Sequence, residues 1–129
     1  MRIFINYSNH PSSKWSKQQL NAAKAISDSI VDVQFPAIDP NMSEGDIVEF
    51  AKEQLGYILH NLTEEGQDEI IFHIAGELTY VAYFVSYCNK YAHNIICLTS
   101  TSQRNTIENP DGTKTIKFDF IKFRKYITI

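Results

Sequence analysis

The stretch Phe72–Thr79, FHIAGELT, decides the fold, because an apolar strand there passes through a small-residue turn directly into a helix. Upstream, Glu69–Ile74 is apolar at successive positions, which is typical of a central strand in a parallel sheet. Downstream, Glu77–Ala92 carries apolar residues at helical spacing. A helix start offers unpaired N–H groups and the positive end of the helix dipole, so this junction predicts a site for an anionic ligand.

Strand and helix patterns also alternate towards the N-terminus. Met1–Tyr7 is a short apolar run that predicts a first strand. After a polar turn, apolar residues from Trp15 to Ile26 recur every three to five positions and predict an amphipathic helix. Ile30–Phe35 is rich in β-branched residues and ends at Pro36, which predicts a second strand.

Two further helices differ in their apolar pattern. Ser43, with Asp46 three residues later, forms an acidic variant of the capping box, and apolar residues then keep a helical period as far as Leu62. The helix Glu77–Ala92 has two apolar stripes, so it needs a second burial partner besides the sheet: a second subunit, which we favour, a neighbouring helix or a long loop. The stripes contain Leu78, Val81, Ala82, Val85 and Cys88 on one side and Tyr80, Phe84, Tyr87 and Tyr91 on the other.

The C-terminal part predicts a strand and then a hairpin. Asn94–Leu98 is apolar and predicts a fourth strand, after which Thr99–Arg104 is polar and predicts a loop. The turn sequence Asn109–Gly112 separates the weakly apolar Arg104–Glu108 from the alternating Thr115–Phe123. The chain is therefore predicted to be α/β, a Rossmann-like, mostly parallel sheet with three helices and a C-terminal β-hairpin, in one domain spanning residues 1–129.

Composition restricts the classes of function. The 129 residues are 43% hydrophobic with a net charge of −3, and that acidic balance argues against a protein that binds duplex nucleic acid. Cys88 and Cys97 fall in a predicted helix and strand and are interpreted as buried, reduced thiols. We see neither a signal peptide nor an apolar run of the ~20 residues that cross a bilayer, so we expect a cytoplasmic protein without membrane contact.

Polar segments follow three of the predicted strands at their carboxyl ends. In an open α/β sheet these ends meet at one edge, where ligands bind, so we expect the three segments to gather around one ligand. The candidate binding residues are Ser8, Asn9, Ser12, Trp15, Ala75, Gly76, Thr79, Thr99, Ser100, Thr101 and Ser102.

Several of these residues have a structural interpretation as well. Trp15 is typical of a core anchor, although its ring could stack on a base. Gly76 either allows a ligand close to the backbone or serves an ordinary turn. Glu77 either has a role at the ligand or is an acidic residue in the first helical turn that compensates the helix dipole. Arg104 could brace a phosphate with its forked guanidinium, or it could be a solvated hairpin charge.

Other chemistries lack their sequence signatures. The four histidines and two cysteines do not have metal-ligand spacing, so we predict neither a metal nor a cofactor. The sequence lacks the phosphate-binding loop that ends in Gly-Lys-Ser/Thr and the dinucleotide pattern Gly-x-Gly-x-x-Gly. It also lacks the Gly-x-Ser-x-Gly elbow of many hydrolases.

Four segments resemble the small stand-alone CARF-like proteins associated with type III CRISPR systems. They are FINYSNHPS from Phe4, IAGELT from Ile74, LTSTSQR from Leu98 and FDFIKFRKY from Phe118. Proteins of this kind bind a cyclic oligoadenylate second messenger as homodimers, near the two-fold axis, and some cut the ring. The chain lacks the Arg-x4-His pair of the HEPN ribonuclease domain. The resemblance therefore implies a regulator that switches off the signal by degrading the ring, above all cyclic tetra-adenylate.

The resemblance also implies roles for individual residues. Ring opening needs no metal, because a ribose 2′-hydroxyl can attack the adjacent phosphate in line. Backbone N–H groups near Gly76, together with Arg104, would hold phosphate, and Asn9 and Thr79 would position ribose or phosphate oxygens. His10 would assist proton transfer. The implied catalytic residues are His10, Arg104 and Glu77.

Three alternatives stay open at this stage. The protein could sequester the ring without cutting it, since positioning alone separates binding from cleavage. The opening IFINYS also resembles the first strand of TIR-like nucleotide glycosidases, in which a glutamate does the chemistry and Glu77 would be the candidate. Finally, the aromatic stripe of the helix Glu77–Ala92 could make the chain an interaction module for another protein.

Overall fold

Five strands form one sheet in the order β2-β1-β3-β4-β5 in a computed structural model that describes residues 1–64 and 68–127. The elements are β1 (Arg2–Ser8), a 3-10 turn (Ser12–Lys14), α1 (Lys17–Ile26), β2 (Ser29–Gln34), α2 (Glu44–Leu62), β3 (Glu69–Ile74), α3 (Leu78–Tyr91), β4 (Ile95–Glu108) and β5 (Lys114–Lys125). The first four strands are parallel and β5 is antiparallel to β4, which confirms the predicted fold class.

The helices cover the two faces of the sheet unequally. The larger apolar cluster lies between the sheet and α2 and α3, and it includes Tyr7, Phe72 and Phe84. A smaller cluster on the opposite face, around Phe4 and Ala23, lies under α1. Alternate residues of β1 and β3 therefore point to different layers, as the strand period of two requires.

The start of α2 agrees with its sequence pattern. Ser43 Oγ accepts from Asp46 N, and Asp46 Oδ2 accepts in return from Ser43 N. This is the predicted capping box, which pairs two otherwise unsatisfied N–H groups. It fixes where the long helix begins, directly after the loop that follows β2.

Two of the four residues in the second stripe of α3 do not need the second subunit that the sequence analysis favoured. Tyr80 and Phe84 are buried within the chain, and the Tyr80 ring packs on Phe35 and on Phe50 of α2. The neighbouring helix is therefore the second burial partner. Tyr91 at the helix end is exposed.

Two other boundaries also differ from the predictions. Trp15 lies outside α1, which begins at Lys17 after the cap Ser16, because a 3-10 turn intervenes. The predicted loop Thr99–Arg104 is wrong, since β4 continues through it as far as Glu108. The segment forms a strand despite its polar side chains, because pairing with β5 satisfies its backbone N–H and C=O groups.

Among the described residues, no helix is both long enough and apolar enough to cross a bilayer.

Candidate functional site

The strand order places a crevice between the carboxyl ends of β1 and β3. The chain leaves β1 towards one edge of the sheet and leaves β3 towards the other, so the two connections diverge at this point. Ala75 N, just after β3, donates to Tyr7 O at 3.3 Å, which keeps the two strand ends together. Ligands of open α/β sheets bind at such reversal points.

Three buried polar side chains lie beneath this crevice on the α1 face. Asn6, Ser8 and His73 are 1%, 4% and 3% exposed, although the positions beside them in the strands are apolar. Asp32 of β2 joins them through a hydrogen bond to Asn6. We call Asn6, Ser8, Asp32 and His73 the Asn6 cluster.

The Asn6 amide is the centre of this cluster. Its Nδ2 donates to Asp32 Oδ1 and to the backbone oxygen of His10, both at 2.8 Å. Its Oδ1 accepts from Ser8 Oγ at 2.8 Å and lies 2.8 Å from His73 Nδ1. One side chain thus links three strands to the loop that follows β1.

The contact with Asn6 also sets the state of His73. The Asn6 Nδ2 hydrogens are used elsewhere, so Oδ1 faces the imidazole and His73 must carry its proton on Nδ1. Nε2 is buried without a hydrogen-bond partner among the described residues. Burial, with a smaller contribution from the nearby His10 charge, lowers the pKa of His73 to about 4. His73 is therefore a neutral imidazole with a free lone pair at pH 7.

Asp32 holds the loop after β1 from the other side. Its Oδ1 accepts from Ser12 N at 3.0 Å and its Oδ2 from Ser12 Oγ at 2.8 Å. Partial burial raises the pKa of Asp32, but the hydrogen bonds from Asn6 and Ser12 outweigh it and leave the pKa below its usual value. In addition, Asn9 Oδ1 accepts from Gln34 Nε2 at 2.7 Å. The loop is therefore fastened to β1 and β2 at several points.

Trp15 covers the Asn6 cluster and remains half-exposed. Its ring packs edge-on against Phe4 at 5.9 Å and against His73 at 5.5 Å, measured between ring centroids. Its Nε1 donates to His10 O at 3.2 Å. The core-anchor interpretation of Trp15 is confirmed, on the α1 side of the sheet.

Gly76 has a packing requirement of its own. A Cβ at this position would lie 2.5 Å from Cδ1 of Phe35, whose buried ring fills the space beside the turn. The residue is a glycine because Phe35 packs against it. This contact supplies a structural reason for the glycine without a ligand.

Glu77 occupies the start of α3 with its own carboxylate. It accepts from Tyr80 N at 2.8 Å and from Thr79 Oγ1, and the Thr79 bond, followed by the backbone bonds, lowers the pKa of Glu77. A cavity of about 500 Å³ beside it is lined by two more carboxylates, Asp39 and Glu44. A phosphate at this helix start would meet negative charge, which disfavours the predicted anion site at Glu77 and Thr79.

The segment from Thr99 onward separates into two parts. Leu98 pairs with His73, so Thr99 and Ser100 are level with the end of β3 and stay close to the crevice. The strand rises about 3.3 Å per residue, which places Arg104 roughly 16 Å beyond Thr99. Arg104 is exposed there, opposite Phe118 of β5. Thr101 and Ser102 lie on the strand between these positions.

The structure thus gathers part of the predicted site. Ser8, His10, Ser12, Trp15 and Ser100 converge on the α1 side of the edge. Sequence reasoning missed the support beneath them, since it did not single out Asn6, Asp32 or His73 as site residues. The available signal was a polar residue within each apolar strand, in FINYS and in IIFHI.

The chain matches a known protein family over most of its length. A family model described as "Uncharacterized protein MJ1673 family" matches residues 2–124. The chain belongs to this family. The matched region contains the Asn6 cluster and β4, together with almost all of β5. No curated protein matches the chain.

Proposed function

We propose that this protein binds a cyclic oligoadenylate, cyclic tetra-adenylate above all, at the carboxyl edge between β1 and β3, and opens the ring without a metal. The observation that carries the proposal is the Asn6 cluster, whose buried and partly buried hydrogen bonds hold the polar loop after β1 at the reversal point of the sheet. Buried polar networks cost free energy unless they are fully paired, and a paired network makes its surroundings rigid, which preorganises the loop that it holds.

The loop after β1 supplies groups that suit a phosphodiester ring. Ser12 places a hydroxyl group at the edge, and Lys14 adds an exposed cation on the same loop. The half-exposed ring of Trp15 offers a stacking surface for an adenine, an interaction that contributes about 1–3 kcal/mol per base. Ser100 of β4 borders the same side.

The proposed reaction is an internal transesterification. The ribose 2′-oxygen attacks the adjacent phosphorus in line, the bond from phosphorus to the 5′-oxygen breaks, and that oxygen takes up a proton from solvent water. The products end in a 2′,3′-cyclic phosphate and a 5′-hydroxyl. His10, exposed at the edge, would accept the proton of the 2′-hydroxyl. His73 cannot act as the acid at neutral pH, because its pKa is about 4.

Sequestration without cleavage is the second candidate, and one observation favours it. Of the three residues predicted to be catalytic, Arg104 lies on a distant part of β4 and Glu77 caps its own helix. Only His10 of the three remains in the loop at the crevice. A TIR-like glycosidase is less well supported, because the Glu77 carboxylate already accepts hydrogen bonds from Thr79 and Tyr80.

Either activity would lower the concentration of free messenger and so switch off type III CRISPR signalling. This regulatory role follows from the resemblance to stand-alone CARF-like proteins. It is separable from binding itself, which can be measured with the purified protein.

The test uses purified protein with cyclic tri-, tetra- and hexa-adenylate in the presence of a chelator. Products are separated by chromatography and identified by mass, and binding is measured by calorimetry. His10→Ala is compared with His93→Ala, a matched control, because His93 is exposed just before β4 at the opposite edge.

The outcomes distinguish the candidates. Ring opening by the wild type and by His93→Ala, with at least a hundredfold loss in His10→Ala, supports the enzyme. Binding of intact ring without products supports sequestration. If none of the three rings binds at micromolar concentrations, the proposed function is wrong.

A further inference from the structure

Beyond the carboxyl edge, β4 and β5 continue as a two-stranded arm. β3 pairs with β4 as far as Leu98, and β4 then remains paired with β5 up to Glu108 and Lys114. We call residues 102–120 the arm. Residues 102–108 and 111–118 are all exposed. A two-stranded hairpin is marginally stable at best in water, so the arm needs support from elsewhere.

One face of the arm is polar and largely satisfied within the chain. Asn105 Nδ2 donates to Asp119 Oδ2 at 2.6 Å, and Lys117 Nζ lies 3.6 Å from Asp119 Oδ1. Ile107 also lies on this face and is 50% exposed. These contacts join the two strands, and they leave this face mostly hydrophilic.

The other face carries an apolar stripe along β5. Ile116 is 49% exposed and Phe118 is 66% exposed, whereas Phe120, next along the same face, is buried against Phe123 at 5.0 Å between ring centroids. The stripe is therefore continuous with the apolar layer on the α1 side. Leaving Ile116 and Phe118 in water forgoes part of the hydrophobic stabilisation that their burial would provide.

Charges on this face are arranged so that the face complements itself. Arg104 lies opposite Phe118, Thr106 opposite Ile116, and Glu108 opposite Lys114. A two-fold axis can lie between the two faces, parallel to the plane of the arm and perpendicular to its strands, directly above the central pair Thr106 and Ile116. A second arm packed face to face would then place its Glu108 over Arg104 and its Lys114 over the ring of Phe118.

We propose that this face of the arm binds the same face of a second copy of the chain, with the two arms antiparallel. The pairing of opposite charges around a buried Ile116 and Phe118 is what selects a second copy as the partner. The inference stands independently of the ligand. It also places the second copy beyond the carboxyl edge, on the side where the crevice opens.

Pairing between two β5 edges is the competing geometry, and charge disfavours it. β5 is an edge strand with many cations and a single acid, Asp119. Such a distribution opposes edge-to-edge addition of a second β5. The cations are Lys114, Lys117, Lys122, Arg124 and Lys125.

The experiment measures the dimer dissociation constant of the full chain by sedimentation equilibrium. Phe118→Ser is compared with Ile107→Thr, a matched control that removes an exposed apolar side chain from the polar face. We expect a wild-type dimer, at least tenfold weaker dimerisation in Phe118→Ser, and an unchanged constant in Ile107→Thr.

A charge exchange keeps the proposal testable if Phe118→Ser disturbs the arm. Arg104→Glu and Glu108→Arg should each weaken the dimer, by about fivefold, and the double variant should restore it. A wild-type chain that is monomeric over a 100-fold range of concentration, including the highest, overturns the proposal. A double variant no tighter than the two single variants also overturns it.

Discussion

His73 of β3 and Asn6 of β1 are directly paired across the sheet, and His73 Nδ1 lies 2.8 Å from Asn6 Oδ1. The same Oδ1 accepts from Ser8, while the Asn6 amide hydrogens reach Asp32 and the loop after β1. The Asn6 side chain therefore fixes the His73 tautomer through Oδ1 and holds the loop that borders the crevice through Nδ2.

Stability should fall as the pH is lowered through the range set by His73. Its pKa falls from 6.5 to about 4 on folding, so the unfolded chain binds the extra proton between these values. The free energy of unfolding is therefore highest, as far as His73 is concerned, above pH 6.5. It falls by about 3 kcal/mol as the pH approaches 4. Urea unfolding of wild type and His73→Gln from pH 4 to 7.5 measures it. Equal pH slopes in the two proteins over pH 4–6.5 would contradict this assignment.

Asn6→Ala should be strongly destabilising. The change leaves the buried His73 Nδ1 without a partner and removes the hydrogen bonds from Asn6 to Asp32 and to the His10 carbonyl, so we expect a loss of about 3 kcal/mol in the free energy of unfolding. Asn21→Ala on the exposed surface of α1 is the matched control and should change stability by less than about 0.5 kcal/mol. Denaturant melts measure both, and a loss in Asn6→Ala no greater than the control would show that the cluster contributes little.

Two glycine substitutions should act in opposite directions. Gly76→Ala forces a methyl group against the ring of Phe35, and overpacking of this kind costs about 1–3 kcal/mol. Gly56→Ala in α2 meets nothing within 4 Å, so it should stabilise the protein by about 0.5–1 kcal/mol. Thermal unfolding compares the two variants. The double change Gly76→Ala with Phe35→Leu should recover part of the loss if the ring is the cause.

Ser43→Ala should weaken α2 at its first turn. The substitution removes the acceptor for Asp46 N, and the loss of such a cap costs about 1 kcal/mol. Ser86→Ala on the exposed side of α3 serves as the control. Hydrogen exchange of the first-turn amides of α2 provides a local measurement. Faster exchange there in Ser43→Ala alone is expected, and equal rates in both variants would exclude the capping role.

Local sequence patterns were sufficient for most elements of the fold. Glu69–Ile74 forms a strand with the predicted bounds, because apolar residues at successive positions suit a strand buried on both faces. The box formed by Ser43 and Asp46 specified the start of α2, since both partners lie within one turn. The turn Asn109–Gly112 also joins two strands as expected, and Gly112 has a φ of 86°.

Longer-range features were not accessible in the same way. The loop predicted at Thr99–Arg104 is part of β4, because pairing with β5 outweighs its polar composition. Arg104 is consequently remote from the crevice, and its expected phosphate contact now lacks a structural basis within one copy. Similarly, Tyr80 and Phe84 of the second apolar stripe of α3 are buried within the chain, where Tyr80 packs on Phe35 and on Phe50 of α2.

By itself, the sequence determined the alternation of strands and helices, their caps and turns, and the edge of the sheet where polar residues collect. These properties depend on residues close together in the chain, so periodicity and turn chemistry are enough to specify them. Only the tertiary structure decided that Asn6, Asp32 and His73 meet beneath that edge and that β4 extends into an arm. Such contacts join residues distant in the chain, and they exist only once strand order and register are fixed.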